Sequence, residues 1–308
     1  MILWVIEVSN LLSGILLLIS YLFSPVFNLI ASSLYFAPYT FLLPFITACY
    51  FLHKDFKGEI EFGRRHYLYV AFSFLIHTLT HTFEMVSTAG LCSVIPFVFY
   101  GFLKNNNRLL IRRTLIAGFT HIGVLFFCMF LLLVQYSVAN KTGFSEGIAY
   151  VEKKFLTRTT GVKGKNPIQQ KSLVASKDAA YMDVLSSYLN DEAMVLYDEK
   201  NPLIGITYKG LVYIYAVASL LLLLLSVFLK KHIWTPRTKA FLYTCWISML
   251  APLSWLILFK PHAYLHQHFV VLVWMLPFTA LGFGIVGVAV EELLVLIKVK
   301  SPNSLKEA

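Results

Sequence analysis

The chain has 308 residues, of which 58% are hydrophobic and only 14% are charged, and its mean hydropathy is +0.70. No single soluble core can bury so much apolar surface, so the composition excludes an ordinary soluble protein and indicates a polytopic membrane protein. The formal net charge of +10 is explained by basic loops beside anionic lipid, and we therefore expect membrane lipid and no nucleic acid as a partner.

Eight apolar segments have roughly the length that a helix needs to cross a bilayer. They cover residues 3–23, 33–52, 67–86, 89–103, 114–138, 210–229, 240–259 and 269–290. The sequence therefore predicts an all-α fold, a polytopic α-helical membrane protein with about eight transmembrane helices. The chain divides into transmembrane helices 1–5 in residues 1–138, an extracytoplasmic loop in 139–208, helices 6–8 in 209–297 and a cytoplasmic tail in 298–308.

Short loops rich in Lys and Arg indicate the orientation, because such loops stay on the cytoplasmic side. Loops 54–66, 104–113 and 230–239 each carry four basic residues. Eight crossings with both termini cytoplasmic place all three loops inside, which predicts a multi-pass protein of the cell inner (plasma) membrane. The same arrangement puts the long loop 139–208 and the polar segment 260–268 outside.

The long outer loop contains two stretches with an amphipathic pattern, residues 146–157 and 177–196. In the second stretch the apolar residues Ala180, Val184, Leu185, Tyr188 and Leu189 recur at helical spacing. Loops of this length are seldom mere connectors. We therefore predict a helical extracytoplasmic cap on the outer face of the bundle.

Ionisable side chains cluster at the predicted outer face, where their cost favours a functional role. The third span carries His77, His81 and Glu84, which share one helix face by their spacing of four and seven residues. The segment between the last two spans adds Lys260, His262, His266 and His268. We predict that these two groups meet in one outer site.

Two chemistries fit these residue types. A divalent metal could be held by His77, His81, Glu84 and His268, although the spacing is not that of a zinc-protease motif. Alternatively, Lys260 and Arg158 could bind a phosphate together with the histidines. A lipid-linked phosphate suits the second alternative, because its tail can lie in the bilayer while its head reaches the outer face.

Residues 252–278 contain Pro-Leu-Ser-Trp, then Phe-Lys-Pro-His-Ala-Tyr-Leu-His-Gln-His, then Trp-Met-Leu-Pro-Phe. With Phe-Leu-Thr-Arg-Thr-Thr-Gly at 155–161, this run resembles the C-terminal part of bacterial polytopic proteins similar to the C-superfamily of glycosyltransferases (GT-C). The resemblance implies an enzyme that takes a sugar from a polyprenyl-phosphate carrier at the outer membrane face.

For such an enzyme we predict that Glu84, His262 and His266 are catalytic and that Lys260 and Arg158 bind the carrier phosphate. One feature departs from the family, because the first outer loop, residues 24–35, contains no Asp or Glu, whereas GT-C enzymes have an acidic residue there. Four acidic residues of the cap are alternative bases: Asp178, Asp183, Asp191 and Glu192. Two other functions remain open: a non-catalytic membrane subunit that needs a partner membrane subunit, and a transporter or metal-handling protein that uses the histidines.

The sequence Gly-Phe-Gly-Ile-Val-Gly at 282–287 matches the spacing of a dinucleotide-binding fingerprint. That fingerprint requires a preceding strand and a soluble βαβ unit, and here it falls inside an apolar span. We therefore predict that these glycines allow close helix packing.

Overall fold

The computed structural model describes residues 1–25, 38–80, 85–159, 179–198, 201–228 and 233–299, and most of these residues are helical. The first part contains α1 (Ile2–Val8), α2 (Leu11–Leu22), α3 (Pro38–Phe56), α4 (Arg64–Thr80), α5 (Val86–Leu103), α6 (Asn107–Asn140), α7 (Phe144–Thr159) and α8 (Tyr181–Asn190). The second part contains β1 (Glu192–Asp198), β2 (Asn201–Thr207), α9 (Tyr208–Phe228), α10 (Pro236–Ser248), α11 (Leu250–Leu258), α12 (Lys260–Leu265), a 3₁₀ turn (Gln267–Phe269), α13 (Val270–Trp274), a π-helical turn (Met275–Thr279) and α14 (Ala280–Val299).

Five helices among the described residues are long and apolar enough to cross a membrane. They are Val86–Leu103, Asn107–Asn140, Tyr208–Val227, Pro236–Leu258 and Pro277–Ile297. These helices overlap the last five predicted spans, although the last one begins at Pro277 and not at residue 269, and they confirm the helical, membrane-type character of the chain. α3 and α4 overlap the second and third predicted spans, parts of which, 33–37 and 81–84, lie outside the described residues.

The first predicted span is not one continuous helix. The chain turns between α1 and α2, where the side chain of Asn10 caps α2 by accepting a hydrogen bond from the Ser13 amide at 3.0 Å. α1 folds back along α2, so that the Tyr21 hydroxyl lies 3.5 Å from the Met1 sulfur. A hydropathy pattern cannot reveal this turn, because Ser9 and Asn10 interrupt the apolar run no more visibly than other polar residues in it, such as Glu7 and Ser13.

α5 lies at the centre of the bundle and packs against α3, α6, α10 and α11. Two thirds of its apolar window, 67%, is buried. Its apolar residues surround the whole helix instead of forming one stripe, which is typical of a helix enclosed by neighbours. α14 forms a second centre, against α2, α9 and α10.

Glycines permit the close packing of α14. A Cβ atom on Gly282 would overlap the ring of Tyr215, and one on Gly284 would overlap the ring of Phe241. Gly287 similarly leaves no room for a Cβ beside the start of α2. The predicted packing role of this glycine run is therefore confirmed.

A buried carboxylate joins two of the basic loops. Asp55, whose side chain is only 7% exposed, lies 2.7 Å from both Lys104 and Arg113 and accepts a hydrogen bond from the Phe62 amide at 2.9 Å. Burial by itself raises a carboxyl pKa, but hydrogen bonds from Arg113, Lys104 and Phe62 outweigh it, and the pKa of Asp55 is about 2. The ends of α3, α5 and α6 are thus held together by one charge cluster.

The third basic loop lies at the same end of the molecule. Glu7 contacts Lys57 at 3.3 Å, while the Ser9 carbonyl, two residues further on, accepts a hydrogen bond from Arg237 at 2.5 Å. Arg237 also pairs with Glu291 at 2.8 Å. We call this end, which carries Asp55, Lys57 and Arg237, the basic end.

The β-hairpin lies at the opposite end, which we call the capped end. α2 runs away from the basic end for 12 residues, a rise of about 18 Å. Immediately after it, the Phe23 carbonyl accepts a hydrogen bond from the Val195 amide of β1 at 2.8 Å. The separation of the short basic loops from the 139–208 region agrees with the predicted arrangement.

The region predicted as a helical cap contains more than helices. Residues 144–159 and 181–190 form α7 and α8, as the amphipathic patterns indicate. The second predicted stretch was too long, since its last residues belong to β1, which pairs antiparallel with β2. The reason is a change of period: Ala193 and Val195 are buried while Leu196 is exposed, which is the alternation of a strand.

Candidate functional site

Residues 260–265 of the polar segment form the short helix α12, and the 3₁₀ turn follows at 267–269. α11 ends at Leu258, the next residue Phe259 leaves helical geometry with φ −124° and ψ 34°, and α12 begins at once with Pro261 in its first turn. Proline is favoured there because its missing N–H would have no helical partner. α12 packs against both α7 and α8, so this segment lies against the helices of the 139–208 region.

The two histidines predicted to be catalytic are neighbours on α12. The ring centroids of His262 and His266 are 4.3 Å apart, as expected for residues four positions apart at a helix end. Trp255 meets the His262 ring edge-on at 5.4 Å, and Phe269 stacks on the His266 ring at 5.5 Å. The structure therefore assembles an imidazole pair between two aromatic side chains.

Tyr188 of α8 fixes the cap to this segment. Its hydroxyl lies 2.9 Å from the Ala263 carbonyl oxygen and 3.1 Å from that of His266, and it accepts a hydrogen bond from the Trp255 indole at 3.3 Å. The tyrosine side chain is buried. A second contact, from the Gln267 amide to a serine hydroxyl of α8 at 3.3 Å, lies beside it.

Lys260 also contacts the cap. Its ammonium group donates a hydrogen bond to the Ala179 carbonyl at 2.7 Å and lies 4.9 Å from the centre of the Tyr181 ring. A lysine ammonium has three donors, and these contacts direct it to the start of α8. In the described residues Lys260 thus holds the cap, whereas phosphate binding by Lys260 remains a prediction.

A cavity of about 360 Å³ adjoins this segment at the capped end. Side chains from α4, the start of α5, α6, α7 and Phe259 line it, and most of them are apolar. Its polar groups include Gln135, Tyr150 and Lys154, and the Lys154 ammonium lies 5.5 Å from the centre of the Tyr150 ring. An apolar cavity with a cation at one side suits an amphiphile with an anionic head.

The remaining predicted residues do not form a described cluster. His77 is buried between the rings of Phe41 and Phe74, at 5.5 and 6.2 Å. His81 and Glu84 lie outside the described residues, as do the side chains of Arg158 and His268. In the described part of the chain no group of three His, Cys, Asp or Glu residues could hold a metal ion.

The carboxyl group of Asp191, one of the alternative bases, has a raised pKa. Burial raises its pKa and the nearby Glu192 adds to the rise, although the Glu192 amide donates a hydrogen bond to Asp191 at 2.9 Å and opposes it. The Asp191 carbonyl also accepts from the Tyr208 amide at 3.1 Å, where the hairpin returns to the bundle. A carboxyl with a raised pKa is a plausible proton carrier on chemical grounds.

The sequence alone did not indicate that Lys154 lies in the wall of a cavity. Lys154 precedes Arg158 by four positions on α7, so the two lie on one face of that helix. This spacing was visible in the sequence, but the facing walls come from helices far apart in the chain. Comparison with models of protein families, with curated proteins and with solved structures finds no match to this chain.

Proposed function

We propose that this membrane protein binds a polyprenyl-phosphate-linked sugar at its capped end and acts there as a glycosyltransferase of the GT-C type. The isoprenoid chain of the donor occupies the cavity between α4, α6 and α7. The phosphate lies near Lys154 and Arg158, and the sugar lies towards α12. The observation that carries this proposal is the apolar cavity with Lys154 in its wall, beside Phe259 and the imidazole pair that follows it.

Each group has a chemical task in this proposal. Lys154 and Arg158 neutralise the carrier phosphate by charge-assisted hydrogen bonds, and Lys260 holds the cap in place above them. His262 or His266 assists the leaving phosphate, since imidazole exchanges protons near neutral pH. Glu84 or Asp191 accepts the proton of the acceptor hydroxyl.

Cavity-filling substitutions test where the lipid binds. Met129 lines the cavity on α6, and Met129→Trp should reduce both binding of a polyprenyl-phosphate photoprobe and sugar transfer in proteoliposomes by about tenfold or more. Phe126→Trp is the matched control, because Phe126 lies on the same helix, is 68% exposed and does not line the cavity. Equal labelling of both variants would refute the lipid site.

A charge substitution separates binding from catalysis. Lys154→Gln should weaken photoprobe binding, whereas His266→Ala should leave binding intact and slow transfer. If the double variant His262→Ala/His266→Ala transfers sugar at the wild-type rate, the imidazole pair has no catalytic role.

The contacts of the cap support a second function, that of a non-catalytic membrane subunit. Tyr188 and Lys260 both bind backbone carbonyls, as expected if the segment 260–268 serves to anchor the cap. This function predicts co-purification with a larger membrane protein and no transfer activity in the isolated chain. The metal-handling alternative predicts stoichiometric metal in the purified protein, measured by elemental analysis.

A further inference from the structure

A second cavity, of about 390 Å³, lies between α1 and α3 at the basic end. It shares no lining residue with the first cavity. Its wall includes the apolar side chains of Leu3, Phe45, Ile46 and Cys49. Its volume falls within the range of about 300–1,000 Å³ that is typical of small-molecule pockets.

A hydrogen-bonded chain of polar side chains holds the cavity wall formed by α1. The Trp4 indole donates to the Tyr100 hydroxyl at 2.7 Å, and that hydroxyl lies 2.9 Å from Nδ1 of His53. Nε2 of His53 lies 2.5 Å from the Glu7 carboxylate. Nδ1 of His53 is thus hydrogen-bonded and Nε2 faces a carboxylate, and these contacts attach α1 to α3 and α5.

The cavity opens towards the surface of the bundle along its apolar part. Leu3 is 76% exposed and Ile46 is 38% exposed, although both belong to the wall. In a bilayer this surface faces hydrocarbon, from which an acyl chain can enter sideways.

Charges of both signs surround the mouth at the basic end. Lys54 pairs with Glu59 at 3.5 Å, and Lys57 pairs with Glu7 at 3.3 Å, which gives two cations and two carboxylates. All four side chains are between 35% and 48% exposed and are therefore accessible to a headgroup. A purely anionic headgroup would meet both carboxylates, whereas a zwitterionic one finds a partner for each of its charges.

We propose that this cavity binds one acyl chain of a glycerophospholipid whose headgroup carries a phosphate and a primary ammonium, as in phosphatidylethanolamine. The phosphate contacts Lys54 and Lys57, and the ammonium contacts Glu7 and Glu59. The lipid belongs to the leaflet at the basic end and fills the space between α1 and α3.

Native mass spectrometry of the purified full-length chain, with equal amounts of phosphatidylethanolamine and phosphatidylglycerol, tests the proposal. Phosphatidylethanolamine should be retained preferentially, and Ile46→Trp should lower its retention by about tenfold. Phe72→Trp is the control, because Phe72 is 60% exposed and outside the cavity. Preferential retention of phosphatidylglycerol, or equal retention by Ile46→Trp and Phe72→Trp, would overturn the proposal.

A surface charge reversal tests the headgroup without altering the apolar wall. Glu59→Lys should shift the preference towards phosphatidylglycerol by about threefold, as expected for an exposed charge contact. Glu61→Lys makes the same change in charge at an exposed position of the same loop that does not line the cavity, and it should have a smaller effect. Equal shifts in the two variants would show that net charge alone decides the preference and would refute the headgroup site.

Discussion

At the scale of single residues, the carboxylates of Asp55 and Asp191 have opposite effects on the stability of the fold. Asp55 is surrounded by two cations and a backbone amide, and its pKa is lowered. Asp191 has a backbone donor but also a neighbouring carboxylate, and its pKa is raised. An ionised aspartate thus stabilises the folded state at position 55 and destabilises it at position 191, because only Asp55 has cations beside it.

Asp55→Asn should lower the free energy of unfolding by about 3 kcal/mol, because Lys104 and Arg113 lose the carboxylate that neutralises them. Thermal unfolding of the purified protein in detergent at pH 7 measures the change. Glu61→Gln, at an exposed loop position, should behave as wild type. A loss below about 1 kcal/mol would mean that the cluster is solvated like an ordinary surface pair.

The contribution of Asp55 should depend on pH in a defined direction. Its pKa falls from the ordinary value of 3.8 to about 2 in the folded protein, so ionisation stabilises the fold above pH 4 and this stability is lost as pH falls towards about 2. The difference in melting temperature between wild type and Asp55→Asn should therefore be constant near neutrality and shrink below about pH 4. A difference that stays constant to pH 2 would contradict this assignment.

Asp191→Asn should have the opposite effect on stability. The raised pKa means that the folded state disfavours the carboxylate, so removing the charge should stabilise the protein at neutral pH. The gain should disappear at pH values below the unfolded pKa, where both states are protonated. Melting temperatures at pH 7 and at acid pH measure the effect, and a destabilised variant at pH 7 would show that the hydrogen bond from the Glu192 amide matters more.

At the scale of secondary-structure elements, small side chains and breaks decide how the helices meet. The turn at Asn10 divides an apolar run into the two helices α1 and α2. Gly287 of α14 has no side chain, and this lets the start of α2 pack closely against α14. At the capped end, the Tyr188 hydroxyl joins α8 to α12. These contacts are local in space but connect residues far apart in the chain.

Gly287→Leu should destabilise the protein by about 1–3 kcal/mol, because a side chain at this position overlaps Ser13 and Asn10. Gly118→Leu is the matched control, since a Cβ at Gly118 in α6 meets no atom within 4 Å. Unfolding in detergent, followed by tryptophan fluorescence, compares the two variants. Equal stability of the two would contradict the packing role of α14.

Tyr188→Phe should loosen the cap while leaving the bundle folded. The change removes the hydroxyl that binds the Ala263 and His266 carbonyls, a loss of about 1–3 kcal/mol at a buried position. Limited proteolysis should cut the variant faster between residues 140 and 208, and Tyr213→Phe, at a position that is 60% exposed, should not. Unchanged cleavage would assign the anchoring to other contacts.

At the scale of the whole molecule, the two ends differ in charge and construction. Ion pairs join short loops at the basic end, whereas α7, α8 and the hairpin build the capped end. The positive-inside rule predicts that the basic end is cytoplasmic. The two proposed lipid sites then lie in opposite leaflets, because one cavity lies at the basic end and the other at the capped end.

Cysteine accessibility in sealed vesicles tests this orientation. Glu61→Cys at the basic end and Lys153→Cys at the capped end should react with a membrane-impermeant maleimide from opposite sides. The wild-type protein, whose four cysteines are buried, gives the background labelling. Labelling of both positions from one side would contradict the predicted topology.

The sequence by itself determined the class of fold, because apolar runs of membrane length and basic short loops reflect local chemistry that needs no knowledge of packing. It also predicted that Gly282, Gly284 and Gly287 serve packing, and that the segment 260–268 carries a polar cluster. These features depend on residues close together in the chain, whereas the helix that brings His262 and His266 together is a finding of the structure.

Only the tertiary structure decided the rest. The two cavities, the engagement of Lys260 by the cap and the pairing of Asp55 with Lys104 and Arg113 all depend on elements distant in sequence. The hairpin and the break at Asn10 were missed because two polar residues or a short change of period alter the local pattern very little. Burial and ion pairing are set by which faces meet, and one sequence without its fold does not specify those faces.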